Sequence, residues 1–504
     1  MVICRKVCQV IVHKNITLIK VTDHTTPPTF YQKYKVIIWM CLVLLQQSIL
    51  LFTMNGTGDD GDSIAHFFHN RYAFKYPFML IHSWAKPVFV LASCAFAQLG
   101  FIGIKLFNSL VAISAAFLSY KLAKKIDIPY AELAIPILMC MPEYLRLSFS
   151  GLTEPLFSLM AIGSLLLLAN EKNMWAALLI SFMPFSRPEG LYFIAIAGAY
   201  FILKKKLWKF IPLLLAGHLF YTLFGVVAFG ETWLWIFTKN PNAMIDPAYN
   251  QTGRWLHYIR ALRSILGIPS YIFLWVGCLA MSIPVVLHLR KFQEKLIPIL
   301  ILATTFSVII SHSIFWKFGL FKSFGLTRNL LTVAPMMAII TLAGMQGLWQ
   351  LIRINAKNRF YANTAMMLLV IGFLYSGNKF TVKFPESFQL SALQLKSEEV
   401  ADFIMKEYPR THMTYHYYPH LSLAMNEDPF DWRHHKTLFK REVKDPLPEN
   451  AIVVWDDWFA VMEGKVSLEM LHENEELEFV RSFKVNDESG KERTLAVFKT
   501  KKWL

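Results

Sequence analysis

Charged side chains are scarce in this 504-residue chain. They make up 17% of it, against roughly 25% in an ordinary soluble protein, and this excludes a single water-soluble fold. The shortage is uneven: residues 377 to 504 hold 18 Lys/Arg and 22 Asp/Glu, whereas residues 1 to 376 hold 33 and 13 in almost three times the length. Cysteine is also sparse. The six cysteines (Cys4, Cys8, Cys41, Cys94, Cys140, Cys278) all precede residue 377 and offer neither a disulfide framework nor a CxxC metal site. No nucleotide loop, HExxH, GxSxG or internal repeat of fixed period is present, so the chemistries those motifs serve lack their usual signatures. Residues 1 to 35 are polar and mixed, and the apolar run after them has no small-residue cleavage site, so that run reads as an uncleaved first span rather than a signal peptide.

What is abundant is apolar sequence, 55% of the chain. Runs of about 20 apolar residues read as membrane spans, and they fall near 36–54, 98–120, 129–148, 152–169, 174–186, 189–203, 208–229, 266–289, 296–314, 328–350 and 361–376. The expectation is a multi-pass α-helical membrane protein of about eleven spans. The net charge of +16 divides into +20 before residue 377 and −4 after it. The basic excess lies between hydrophobic runs and forms no continuous stripe, which argues against a nucleic-acid partner. Alternate loops carry 20 of the 33 basic residues that precede residue 377. Loops rich in Lys and Arg stay inside, so residues 1–35 are expected to be cytoplasmic and residues 377–504 to lie outside.

Two hairpins look too short to cross. Lys172 and Lys204 share a side, yet each leg between them spans only about 22 Å, against about 30 Å of hydrocarbon. The tip SRPEG, with Arg187 and Glu189, is therefore expected below the outer surface, where buried charges need partners. The preceding tip, MPEYLRLSFSGLTEP, holds Glu143, Arg146 and Glu154 and aims at the same outer cavity. The tail reads as a small α/β domain, with a helix over 391–408 and strands at AIVVW, LEFVRSF and TLAVFK.

Chemistry concentrates in the first outer loop, 55–97, which begins NGTGDDGDSIAHFFHNRYAFKYP. Asp59, Asp60 and Asp62 follow directly on a span. If a helix starts near Asp62, that residue and His66 share a face, and the carboxylate suits a general base or a metal ligand. A helix cap with a solvated acidic turn is the plainer reading.

The order of motifs is informative. After the acidic loop come LFNSLVAISAAFLSYKLAKK, then SGLTEPLF opening a helix, SRPEGLYFIAIAGAYFILKKK, and a charged outside tail. Over residues 36 to 376 this layout resembles the GT-C superfamily of integral-membrane glycosyltransferases, relatives of the protein O-mannosyltransferases and aminoarabinose transferases. The resemblance implies a GT-C-like catalytic module over 36–376 and transfer of a sugar, of hexosyl or mannosyl type, from a polyprenyl-phosphate carrier. The acceptor would be a glycan, lipid or protein on the outer face, and the compartment leans toward a bacterial inner membrane.

The resemblance also implies that an Asp of the first outer loop is the base. Asp62 matches best, with Asp59 and Asp60 as competing registers, because Asp-Ser stands here where related mannosyltransferases often have Asp-Glu. His66 either orients the base or acceptor or is a satisfied interfacial histidine. A later-span Arg holds the carrier phosphate in this superfamily. Arg328 is the first choice for that role against a plain snorkelling Arg, with Lys317, Lys322, His312 and Arg187 as further cations. Glu154 and Glu189 either cap helices or bind sugar and pair with Arg146 and Arg187. Trp255, His257 and Tyr258 suit a sugar ring or prenyl tail, and equally an interfacial belt. No cofactor is required, no residue is assigned as a metal ligand, and the Asp triplet leaves a divalent ion open. A lipid-linked sugar transporter or flippase, or a scaffold acting through its tail, are the competing readings.

Overall fold

The computed structural model describes residues 30–239, 251–287, 296–355, 361, 364–372, 375 and 388–503. Most of the segment 1–35, residues 240–250 between the expected spans 208–229 and 266–289, residues 288–295 and most of the expected span 361–376 lie outside the described residues. The apolar part is a helical bundle. Among the described residues, five helical stretches are long and apolar enough to cross a membrane: Lys33–Thr53, Phe101–Lys125, Lys206–Phe229, Leu296–Phe318 and Thr327–Trp349. Their placement follows their burial. In Thr327–Trp349 89% of the apolar 18-residue stretch is buried, whereas in Lys33–Thr53 only 17% is, and Leu42, Leu44 and Leu45 face outward.

Several expected spans are broken or shorter. The run 129–148 is not one helix but two, Ala134–Met139 and Pro142–Leu147. Pro142 lacks an N–H and disfavours helix in the residue before it, so the chain turns at Cys140–Met141. The helices Asn173–Phe182 and Gly190–Leu203 are the short legs expected from the spacing, with the tip between them. Residues 208–215 pass through two 3-10 turns around Pro212 before the helix Ala216–Phe229 begins. The stretch 257–265, read as loop, is the helix His257–Leu266, with Tyr258, Leu262, Ile265 and Leu266 buried at helical spacing.

The tail forms a five-stranded mixed sheet in the order β2-β1-β3-β5-β4. The strands are β1 (Met413–His416), β2 (His435–Thr437), β3 (Ala451–Asp456), β4 (Leu477–Asn486) and β5 (Glu492–Thr500). β1 lies parallel to both β2 and β3, and β5 runs antiparallel between β3 and β4. The last three match the expected strands; β1 and β2 are additional, too short to show period-2 alternation. The helix Ala392–Glu407 carries a capping box made by Ser391 and Gln394, which fixes its start. This unit grips the first outer loop directly: Gly56 N donates to Phe388 O at 2.6 Å, Gln394 Nε2 to Thr57 Oγ1 at 2.7 Å, and Lys75 Nζ to Asp428 Oδ2 at 2.7 Å.

Candidate functional site

The acidic loop is shaped by close approach. Gly58 has φ +89°, and a Cβ there would lie 2.4 Å from Ser150 Cβ. A Cβ on Gly151 would lie 2.2 Å from the Ser63 carbonyl oxygen, and Gly151 N donates to Ser63 Oγ at 2.6 Å. Glycine alone permits this contact. Arg146, paired with Glu143 at 2.8 Å, also donates to the Gly58 carbonyl. The turn delivers Asp59, whose Oδ1 accepts from Gly61 N at 3.1 Å and Ser63 N at 2.8 Å. Asp59 thereby ties down the first turn of the helix Asp62–Arg71, satisfying backbone donors that the helix itself leaves open.

From this loop an unbroken chain of charges runs into the bundle. Arg328 bonds Asp59 Oδ2 through one terminal nitrogen and Asp62 Oδ2 through the other, and its Nε lies 3.4 Å from Glu154 Oε1. Glu154 Oε1 is also 2.9 Å from Arg187, an ion pair without hydrogen-bond alignment. Arg187 continues to Glu189 at 3.0 Å, Thr153 Oγ1 at 3.1 Å and Asn329 Oδ1 at 2.9 Å. His312 Nε2 closes the series 3.2 Å from Glu189 Oε1. Local sequence explains the convergence. Pro155 starts the helix that carries Glu154 at its first position, Arg328 sits on the 3-10 segment Thr327–Val333 ahead of Pro335, and Arg187 and Glu189 share the hairpin tip. Glu154 thus stands at a helix N-terminus but makes no capping hydrogen bond there; its carboxylate faces Arg187 and Arg328.

Side-chain exposure falls from 45% at Asp62 and 24% at Asp59 to 14% at Arg328, and is 13% or less at Glu154, Arg187, Glu189 and His312. The interior end is locked and the outer end open. Asp62 Oδ1 carries no hydrogen bond among the described residues, whereas both oxygens of Asp59 are engaged.

The sequence reading missed Lys86. It lies in the field of Glu189, Asp62 and Glu154, yet its Nζ makes no ion pair among the described residues and reaches only Ser83 O at 3.4 Å. Burial pushes its ammonium down to about 8. Its φ of +64° is rare for a non-glycine residue. The available signal was a Lys-Pro pair heading an apolar helix, Pro87–Ala97, inside the first outer loop.

The other candidates divide. His66 is buried and stacked on Trp84 at 4.6 Å. It makes no hydrogen bond to Asp62, although the two share a face of the helix. Tyr258 is fully buried, with its ring 5.7 Å from His312, and His257 Nε2 meets Gly325 O at 2.8 Å. Both pack behind the network. Trp255 is 48% exposed and edges onto Phe318, and Lys317 in the last turn of Leu296–Phe318 has no ion pair to the network. Asp60 turns the other way and accepts from Ser391 Oγ of the tail at 3.0 Å.

Burial pushes Asp60 up to about 6 from an ordinary 3.8. Between those values the folded chain holds a proton that the unfolded chain has lost, so stability falls as pH rises through this window. Asp60→Asn is expected to stabilise the protein by on the order of 2 kcal/mol above pH 6, with the gain shrinking as pH falls toward 4. Thermal unfolding at pH 7.5 and 4.5 checks this; an equal shift at both would contradict it.

No protein-family model and no curated protein matches the chain. Two solved structures share its fold. ArnT from Cupriavidus metallidurans bound to undecaprenyl phosphate matches with a TM-score of 0.59 and 11% identity, covering 92% of this chain and 98% of that one. The same protein in the apo state matches with a TM-score of 0.61 and 10% identity, at the same coverage. The chain therefore shares the fold of these two structures, and with its long apolar helices it is an integral membrane protein.

Proposed function

We propose that this chain is a glycosyltransferase that takes a sugar from a polyprenyl-phosphate carrier and attaches it to a glycan, lipid or protein acceptor on the outer face, with the N-terminus cytoplasmic and the tail outside. A hexose of mannosyl type and a bacterial inner membrane complete the reading. The observation that carries it is the graded ion network. At its open end an accessible carboxylate, Asp62, shares Arg328 with Asp59, and an unpaired cation, Lys86, stands in the same field.

In the proposed reaction Asp62 accepts the acceptor's hydroxyl proton. The acceptor oxygen bonds the anomeric carbon while the bond from that carbon to the carrier phosphate breaks, and the phosphate leaves with the electron pair. Arg328 and Lys86 stabilise the departing charge, as Arg suits phosphate through its fork of donors. Arg328 is fully engaged before the donor arrives, so a bound phosphate competes with the carboxylates for it and loosens its hold on Asp62. Fixed cations supply the charge this mechanism needs.

The test is reconstitution in liposomes with a labelled polyprenyl-phosphate sugar and an acceptor fraction, with mass spectrometry of the products. Covalent transfer with release of polyprenyl phosphate is expected; movement of the lipid across the bilayer without product would replace this reading with a flippase. A second expectation concerns Lys86. Its ammonium loses its proton as pH rises through about 8, so donor KM rises above that pH. Lys86→Met raises donor KM by about 10–100-fold, the loss of one charge-assisted bond, and Lys86→Arg flattens the pH profile. A pH-independent KM in the parent protein would count against Lys86 as a phosphate contact.

A further inference from the structure

A second cluster lies in the tail, outside the ion network. His416 ends β1, and His435 opens the adjacent parallel strand β2, where it pairs with Thr414, two residues before His416. Between them the chain makes the short helix Pro419–Ala424 and a turn closed by Glu427 N donating to Ser422 O at 2.9 Å. This returns Glu427 to the two rings. His416 Nε2 is 3.1 Å and His435 Nδ1 3.7 Å from the same oxygen, Glu427 Oε2, and the ring centroids are 4.5 Å apart. One potential ligand atom from each of the three residues falls within 4.8 Å of the others.

One carboxylate oxygen faces both imidazoles, and His435 Nδ1 also has a long contact of 3.4 Å with Thr414 Oγ1. The buried His416 Nδ1 has no hydrogen-bond partner, so that ring is held by what lies at Nε2. His416 and His435 are 2% and 5% exposed. Tetrahedral ligands at about 2.0–2.1 Å from zinc stand about 3.3 Å apart, between the two observed separations. Two imidazoles and a carboxylate suit zinc among the common divalent ions. Glu427 is partly exposed, leaving room for water at a fourth position.

We propose that His416, Glu427 and His435 bind one zinc ion and that this ion fastens the turn 427–431 onto the first outer loop. That turn is one of the tail's contacts with the helix Asp62–Arg71 and the residues after it; the helix Pro419–Ala424 is another. Tyr72 Oη donates to the Glu427 carbonyl at 3.3 Å, Lys75 and Tyr76 reach Asp428 at 2.7 and 3.1 Å, and the Phe430 ring lies 5.0 Å from His69. A metal holding Glu427 between two strands would fix the backbone on which those contacts depend. The site stands apart from the transferase reading, because metal content and stability report on it directly.

The test uses the full chain in detergent, free of affinity tags and supplied with zinc during growth. Elemental analysis is expected to find about one zinc per chain, falling by about tenfold or more in His416→Ala/His435→Ala. His412→Ala/His434→Ala, which removes two exposed neighbouring rings, keeps it. Absence of zinc from the parent protein, or undiminished zinc in the His416/His435 variant, overturns the site. Should that variant fail to fold, the chelator-treated parent decides: zinc at a hundredfold excess over its Kd raises the unfolding temperature by about 5 °C, and no shift overturns the site. Hydrogen exchange of residues 62–76 slows on zinc addition if the ion fastens the loop; protection confined to 413–437 overturns the fastening.

Discussion

Asp62→Asn is expected to lower turnover by about 10²–10⁴-fold, the usual contribution of a positioned general base, with donor KM little changed. The amide keeps the shape of the carboxylate and can still accept from Arg328, but it cannot take the acceptor's proton. Asp59→Asn differs in kind. Asp59 holds the amides of Gly61 and Ser63 as well as Arg328, so its loss costs stability along with rate. Single-turnover rates of the two variants, with melting temperatures alongside, separate the roles. Full transfer by a correctly inserted Asp62→Asn protein would move the base to Asp59, the other carboxylate on Arg328.

Arg187→Met is expected to destabilise the protein by about 3–5 kcal/mol, the cost of stranding buried charge. Arg187 serves Glu154, Glu189, Thr153 and Asn329 at once, and those two carboxylates are almost wholly enclosed. Removing the cation leaves Glu154 with only the 3.4 Å contact to Arg328 and Glu189 with His312. Adding Glu189→Gln removes one stranded charge and recovers part of the loss. Arg187→Lys retains the charge but cannot fork between four partners, so it falls between. Unfolding in detergent measures all three; a melting temperature for Arg187→Met equal to that of the parent would show that the network is not held by this residue.

How far the sequence foretold these arrangements varied with the kind of signal. Apolar runs located the helices, and the Lys172–Lys204 spacing foresaw the short hairpin and its charged tip. Pairing of Glu154 and Glu189 with Arg187 was open as an alternative because buried opposite charges need each other. Arg328 was chosen for a phosphate, and in the structure it holds Asp59 and Asp62, which lie 269 and 266 positions away; no local pattern encodes such a contact. Lys86 escaped because an isolated lysine in a loop looks like any other until the fold surrounds it with carboxylates. β1 and β2 escaped because three or four residues carry too little periodicity, and with them went the meeting of His416, Glu427 and His435. Asp59, Asp60 and Asp62 read as one acidic motif, yet they meet three environments: a helix start shared with Arg328, the tail, and a half-exposed position on Arg328 with one oxygen open.

The tail's grip on the first loop has a consequence for synthesis. Asp60 and Thr57 are held by Ser391 and Gln394, 331 and 337 residues later. While the ribosome is still making the later helices, the loop bearing Asp62 has emerged but its clamp does not yet exist. The loop acquires its final shape only after the last segment of the polypeptide arrives. A product terminated before residue 391 would keep its apolar helices and lack these contacts, leaving the loop that carries Asp62 unclamped.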